Sequence, residues 1–158
     1  MKQLFTLGTS AVYALLFTGC TTCGGDVEPC VSAPISITSL EKEYGCTNTP
    51  RQLSVNLPQT YTVIRSQAEF DQQVTGDCHP QVDFTKYDLV IGNKGSSSGS
   101  STITYAYQRE CETGQSFLKV IFQAGMTNDA PILTYHALVP KLAPAETVRV
   151  EVEMKSGQ

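Results

Sequence analysis

From Val148 to Met154 every second residue is apolar, with Arg149, Glu151 and Glu153 between them. A period of two sorts the two sets onto opposite faces of an extended strand. Ile103, Tyr105 and Tyr107 obey the same rule, as do Leu118, Val120 and Phe122. The intervening Glu112-Thr113-Gly114-Gln115 has the composition of a hairpin turn. Ile132 to Val139 reads as a further strand, entered from the Gly/Asn/Asp/Pro loop between Ala124 and Pro131. The short, wholly apolar run Leu89-Val90-Ile91 reads as a strand buried on both faces.

The first half patterns less cleanly. Ile35 to Tyr44 is strand-like, with a slip between Ile37 and Leu40 that fits a bulge. Thr47 to Pro50 is turn chemistry, and Leu53, Val55 and Leu57 alternate with polar residues. Tyr61 to Ile64 is a short extended run. Ser66-Gln67-Ala68-Glu69 has the form of a capping box, with Phe70 and Val74 on one helical face and Gly76 as the stop. Asp83 to Tyr87 adds one helical turn, with Asp83 as its cap and Asp88 beyond it. Roughly seven strands, mostly in hairpin order, and one short helix near residues 66–75 predict an antiparallel α+β domain, sandwich-like or a curled sheet.

The N-terminus carries a different message. Lys2 precedes an apolar run from Leu4 to Phe17, too short to span a bilayer stably. Thr18-Gly19-Cys20 then resembles a bacterial lipobox, in which the leader is cut before the cysteine and the thiol of Cys20 takes a lipid. The competing reading is an ordinary secretory leader. The expected organisation is a leader over 1–19, a tether over 20–33 and one domain over 34–156. Residue 21 is Thr rather than the Asp that often retains lipoproteins at the inner membrane, so the outer membrane of a Gram-negative envelope is expected.

Removing residues 1–19 from 158 leaves 139, enough for one domain with a core. Loss of Lys2 takes the net charge from −4 to −5, and Lys and Arg form no cluster. Nucleic acid is thereby excluded as an expected partner, and contact with membrane is expected through the lipid alone.

Six cysteines in an exported chain imply disulfides. Lipidation of Cys20 leaves Cys23, Cys30, Cys46, Cys78 and Cys111, an odd number. Cys46, Cys78 and Cys111 form the structural set, and Cys46–Cys111 is the favoured pair because each ends a strand-like segment before a turn. Cys20-Thr21-Thr22-Cys23 matches a C-x-x-C redox motif but lacks the helix that lowers a thiol pKa.

Gly95-Ser96-Ser97-Ser98-Gly99 matches G-x-S-x-G, the nucleophile elbow of α/β hydrolases, with Ser97, Asp129 and His136 as a formal triad. The elbow needs a helix after the serine, and Ser101 onward alternates as a strand. A flexible Gly/Ser connection between two strands is the better reading. His136 sits mid-strand, where a hydrogen-bonded imidazole is the default. Cys78-His79 offers two metal ligands without a second pair at zinc-site spacing. Neither a metal nor another cofactor is expected.

Tyr61 to Phe70 and Val82 to Gly92, with Tyr135 to Lys141 at the close, resemble the PrcB C-terminal-like domain of protease-complex lipoproteins. The family's loop after the apolar strand reads like P-T-G-G-Y, whereas this chain has Gly95 to Ser100. The resemblance implies a small antiparallel module, without catalysis, that accompanies a partner such as a cell-surface protease. Its contact surface is expected in loops 93–101 and 124–131, through Ser96, Ser97, Ser98, Gly99, Thr127 and Asn128. Other readings are a protease inhibitor presenting the same loops, a small hydrolase using Ser97 and His136, and a structural envelope component.

Overall fold

A computed structural model describes residues 31–57 and 59–157. The leader, Cys20, Cys23, Cys30 and most of the tether lie outside the described residues. In chain order the elements are β1 (Ala33–Pro34), α1 (Leu40–Tyr44), α2 (Thr49–Gln52), β2 (Leu53–Val55), β3 (Tyr61–Ile64), α3 (Gln67–Gln73), β4 (Val74–Gly76), β5 (Tyr87–Gly95), β6 (Thr102–Arg109), β7 (Ser116–Gln123), β8 (Ile132–Pro140) and β9 (Val148–Lys155). The fold is α+β and mostly antiparallel, as the alternation predicts.

The strands form a sheet β1-β6-β7-β9, a second sheet β3-β5-β8 and a two-stranded ribbon β2-β4. Alternation along β5 and β8 sends side chains into two cores. Val90, Leu133, Tyr135, Ala137 and Val139 meet Leu118, Val120 and Phe122 of β7 in a core between the two sheets. Leu89, Ile91 and Leu138 face the other way, toward Leu40 of α1, Phe70 of α3 and the ribbon residues Leu53, Val55 and Val74. The middle sheet is therefore covered on both sides, which is why Leu89, Val90 and Ile91 are all fully buried.

Several expectations need correction. Residues 40–44 are a helix rather than the end of a strand. Ser39 caps it by accepting from the Lys42 amide at 3.3 Å, Glu41 and Glu43 lie in its only turn, and Gly45 closes it at φ 72°. Among the described residues before β2, the segment 33–35 alone hydrogen-bonds to β6, with Ile35 N–H donating to Tyr107 O at 2.8 Å. Ser66 caps α3 as predicted, accepting from the Glu69 amide, but Glu69 reaches back to the Arg65 amide rather than to Ser66. Gly76 does not stop that helix. Helix α3 ends at Gln73, and Gly76 pairs with Leu53 at φ 137°, where an added Cβ would sit 2.0 Å from Gln52 O.

Strand β9 is parallel to β7, because the chain crosses to β8 in the other sheet before returning. The favoured pair Cys46–Cys111 is also incorrect: Cys46 bonds Cys78, with Cα atoms 5.6 Å apart. Cys46 follows α1 and Cys78 follows β4, so packing of both elements on the outer core brings the sulfurs together. Cys111 is likewise disulfide-bonded.

The Cys46–Cys78 bridge closes a sequence separation of 32 residues that spans α2, β2, β3, α3 and β4. Loop-closure entropy then assigns it about 3.7 kcal/mol. A double C46S/C78S variant is expected to lose about that much in urea unfolding. A loss below about 1 kcal/mol would show that the outer layer holds without it.

Candidate functional site

The loop joining β5 to β6 and the loop joining β7 to β8 meet, although they lie about thirty residues apart in the chain. Ser98 Oγ lies 2.9 Å from Thr127 Oγ1, which also accepts from Ser100 N–H at 3.1 Å. Gly99 N–H donates to Asp129 Oδ1 at 2.8 Å, and Met126 N–H donates to Ser100 Oγ at 3.1 Å. Ser96 is buried, its hydroxyl donating to Ser98 O at 2.9 Å and its amide to Pro131 O at 2.9 Å. The Gly/Ser stretch connects two strands as expected, but it is cross-braced rather than flexible. Its serines replace water as partners for loop amides and carbonyls.

Helix α2 adds a third brace. Arg51 Nη2 lies 3.1 Å from Asp129 Oδ2, and Arg51 Nε donates to Gly99 O at 3.3 Å. Hydrogen bonds from Thr127, the Gly99 amide and Arg51 hold the Asp129 carboxyl well below the usual carboxylate range. Ser97 and Asn128 remain exposed on this platform. Met126 projects at 96 % exposure, and Ile132 at the following strand start is 73 % exposed.

A second cluster lies beside the loops, around His136. Its side chain points from β8 away from the inter-sheet core and is 3 % exposed. Leu40 N–H lies 3.2 Å from Nε2, and Glu41 Oε2 lies 3.1 Å from the same atom. Protonated, Nε2 donates to Glu41; bare, it accepts from Leu40. It cannot do both. Thr49 Oγ1 lies 3.5 Å from Nδ1 and donates to Glu41 Oε1. Tyr105 Oη accepts from the His136 backbone amide at 3.1 Å, and burial pushes that phenol well above its ordinary pKa. Glu41, Thr49, Tyr105 and His136, with Ser39, Ser101 and Ile103, line a cleft of about 390 Å³.

Thr49, His136 and Glu41 have the residue types of a nucleophile, base and orienter. However, Thr49 is fully buried and spends its hydroxyl proton on Glu41. The formal triad is not assembled: Asp129 serves Arg51 and Gly99, His136 serves α1 and α2, and no hydrogen bond joins Ser97 to either among the described residues. His79 lies 2.8 Å from Asp71 Oδ1 and stacks at 4.7 Å on Phe70, while the neighbouring Cys78 sulfur is held in the disulfide. Asp83 caps its turn through the Thr85 amide. Asp88 is buried and accepts from Lys141 Nζ at 2.6 Å and the Leu142 amide at 3.0 Å.

Sequence reasoning missed Glu41, Thr49, Tyr105 and Arg51. Only Ser39 followed by acidic residues and Gly45 signalled that residues 40–44 form a helix, and nothing local placed that helix on His136. No family model matches the chain, and no curated protein or solved structure matches it.

Partial burial pushes the Glu41 carboxyl up, but the hydrogen bonds from His136 and Thr49 and the attraction of His136 outweigh it and hold it at about 2, against 4.5 ordinarily. Unfolded chains therefore bind more protons here as the pH falls from 4.5 to about 2, and the stability present above 4.5 is lost across that window. With Glu41 a third exposed, screening reduces the contribution to about 1 kcal/mol. Urea midpoints at pH 6 and pH 2.5 are expected to differ less for Glu41→Gln than for the parent. An identical acid loss would remove Glu41 from the acid response.

An added Cβ on Gly125 would sit 2.1 Å from Ser100 Oγ and 2.6 Å from Ser100 O. Gly125→Ala is accordingly expected to part the two loops, speeding amide exchange at Gly99 and Ser100 while leaving β7 amides protected. Unchanged exchange at Gly99 would show that the loops hold without this close approach.

Proposed function

We propose that this chain is an exported binding or assembly module, held in the cell envelope by a lipid on Cys20, and that the joined loops 93–101 and 124–131 are its contact surface. One observation carries the reading: two loops distant in sequence are braced into one platform that leaves Met126 almost wholly exposed. A preorganised loop loses little entropy on binding. An exposed methionine adapts its shape to an apolar partner surface.

The module acts without catalysis. Supporting this, His136, Asp129 and Thr49 are each committed to bonds that hold the fold. The resemblance to protease-complex lipoproteins makes an exported protease the first partner to seek. The bracing of the loops also favours the inhibitor reading, since a rigid loop resists rearrangement in a cleft.

The test is crosslinking and mass spectrometry of the tagged, membrane-anchored chain in mild detergent, run beside Met126→Asp. The variant is expected to keep its Tm and to lose a stoichiometric envelope partner by about tenfold, as for one buried apolar anchor. Equal recovery with both chains would overturn the loop surface. If the partner is a protease, its activity with and without the purified domain separates companion from inhibitor.

A further inference from the structure

The two sheets of the sandwich meet along two seams, and the chain treats them differently. At the seam between β6 and β8, the segment 33–38 runs between the sheets. Ala33 and Pro34 pair with β6, Ile35 N–H donates to Tyr107 O, and Thr38 exchanges two hydrogen bonds with Leu138 at 3.1 and 2.9 Å. Ile35 and Ile37 meanwhile pack on the inter-sheet core.

At the opposite seam β9 and β3 are the edge strands, and neither pairs on its outer side among the described residues. Lys155 O accepts from Ala124 N–H on the β7 side, whereas Val148 O accepts from Tyr61 Oη on the β3 side, at 3.0 Å. Alternation along the strand then turns the N–H and C=O groups of Val150, Val152 and Met154 outward. Tyr61, Val63, Val150 and Val152 are only half-buried there, and a cleft of about 320 Å³ opens between Tyr61, Val63, Arg65 and Val148.

We infer that the β9 edge receives an extended segment of a partner protein, added as a strand, with alternate apolar side chains entering the seam as Ile35 and Ile37 enter the other. Charge fixes its second feature. Arg149 lies over the Phe117 ring and Glu153 pairs with Lys119 and Lys155, but Glu151 is exposed and has no ion pair among the described residues. A basic side chain on the solvent face of the incoming strand answers it.

A second copy of this chain is the poorer occupant in the central registers. Antiparallel self-pairing centred on Val152 sets Glu151 against Glu153, and centring on Glu151 sets it against itself. Centring on Val150 sets Arg149 against Glu151 but asks the Val148 carbonyl, which already accepts from Tyr61 Oη, to take a second hydrogen bond. The inference stands apart from the loop surface and survives its failure.

The probe is a blocked synthetic hexapeptide alternating valine with lysine, added at millimolar concentration to the full chain in detergent. Amide exchange is expected to slow at Val150, Val152 and Met154, while Arg149 and Glu151, already paired to β7, stay as they are. The same peptide with N-methylated valines is expected to have no effect. Met154→Pro, at an exposed site whose N–H points outward, is expected to keep its Tm and weaken binding about fivefold, the equivalent of one backbone hydrogen bond. The inference is overturned by unchanged exchange at saturating peptide, by equal protection from the N-methylated peptide, or by protection that rises with protein concentration alone.

Discussion

Burial of β5 and β8 on both faces is the constraint on which the other elements depend. A half-exposed strand can slip by one residue and still leave one face wet. Here a slip would exchange the inter-sheet core for the helix-side core at every position. Val90 and Ala137 would have to fill the space of Leu89 and Leu138, and Leu89 and Leu138 theirs. The register Leu89↔Leu138 and Val90↔Ala137 is therefore fixed from both sides at once. A strand with two buried faces must also satisfy any polar side chain it carries. Asp88 takes Lys141 and the Leu142 amide, and Thr134 donates to Leu53 O at 2.7 Å.

His136 is the third such group, and it links the core to the surface. Its nitrogens face Leu40 and Glu41 at the start of α1 and Thr49 at the start of α2. Two helices of five and four residues have almost no stability of their own. Their positions come from Leu40 in the outer core, from the His136 cluster and from the Cys46–Cys78 bridge between them and β4. With Thr49 fixed, Arg51 two residues later reaches Gly99 and Asp129 and completes the loop platform. The order of the loops thus traces back, through one short helix, to a buried histidine on β8.

What could be read beforehand follows the same division. Strands β6, β7 and β9 were legible because alternation has few rival explanations, and β5 because its short apolar run fits a strand buried on both faces. The cap at Ser66 was legible because a cap is a local event. Residues 35–44 misled because Ile35 and Ile37 do alternate, in the seam segment, while the helix after Ser39 is only five residues long. The Cys46–Cys78 pair and the parallel placement of β9 were illegible for another reason: both depend on which sheet an element joins, which no local pattern states. Loops 93–101 and 124–131 were picked out by composition, but their union was not. It rests on Thr127 and Asp129 of one loop, and Arg51 of α2, all reaching the Ser98–Ser100 segment of the other loop.

The two exposed features differ in what writes them into the chain. The loop platform is held mainly by side chains, hydroxyls and a carboxylate bonding to backbone and to each other. A single serine changed there alters the platform and leaves the strands alone. The outer edge of β9 is made of backbone, so nearly any sequence that forms the strand presents the same N–H and C=O groups. Side chains influence that edge chiefly by discouraging wrong neighbours, as Glu151 and Glu153 do toward a copy of the strand centred on Val152. Edge recognition therefore leaves almost no mark in composition or motif. Only the topology exposes it, by closing one seam of the sandwich with residues 33–38 and leaving its counterpart without an occupant among the described residues.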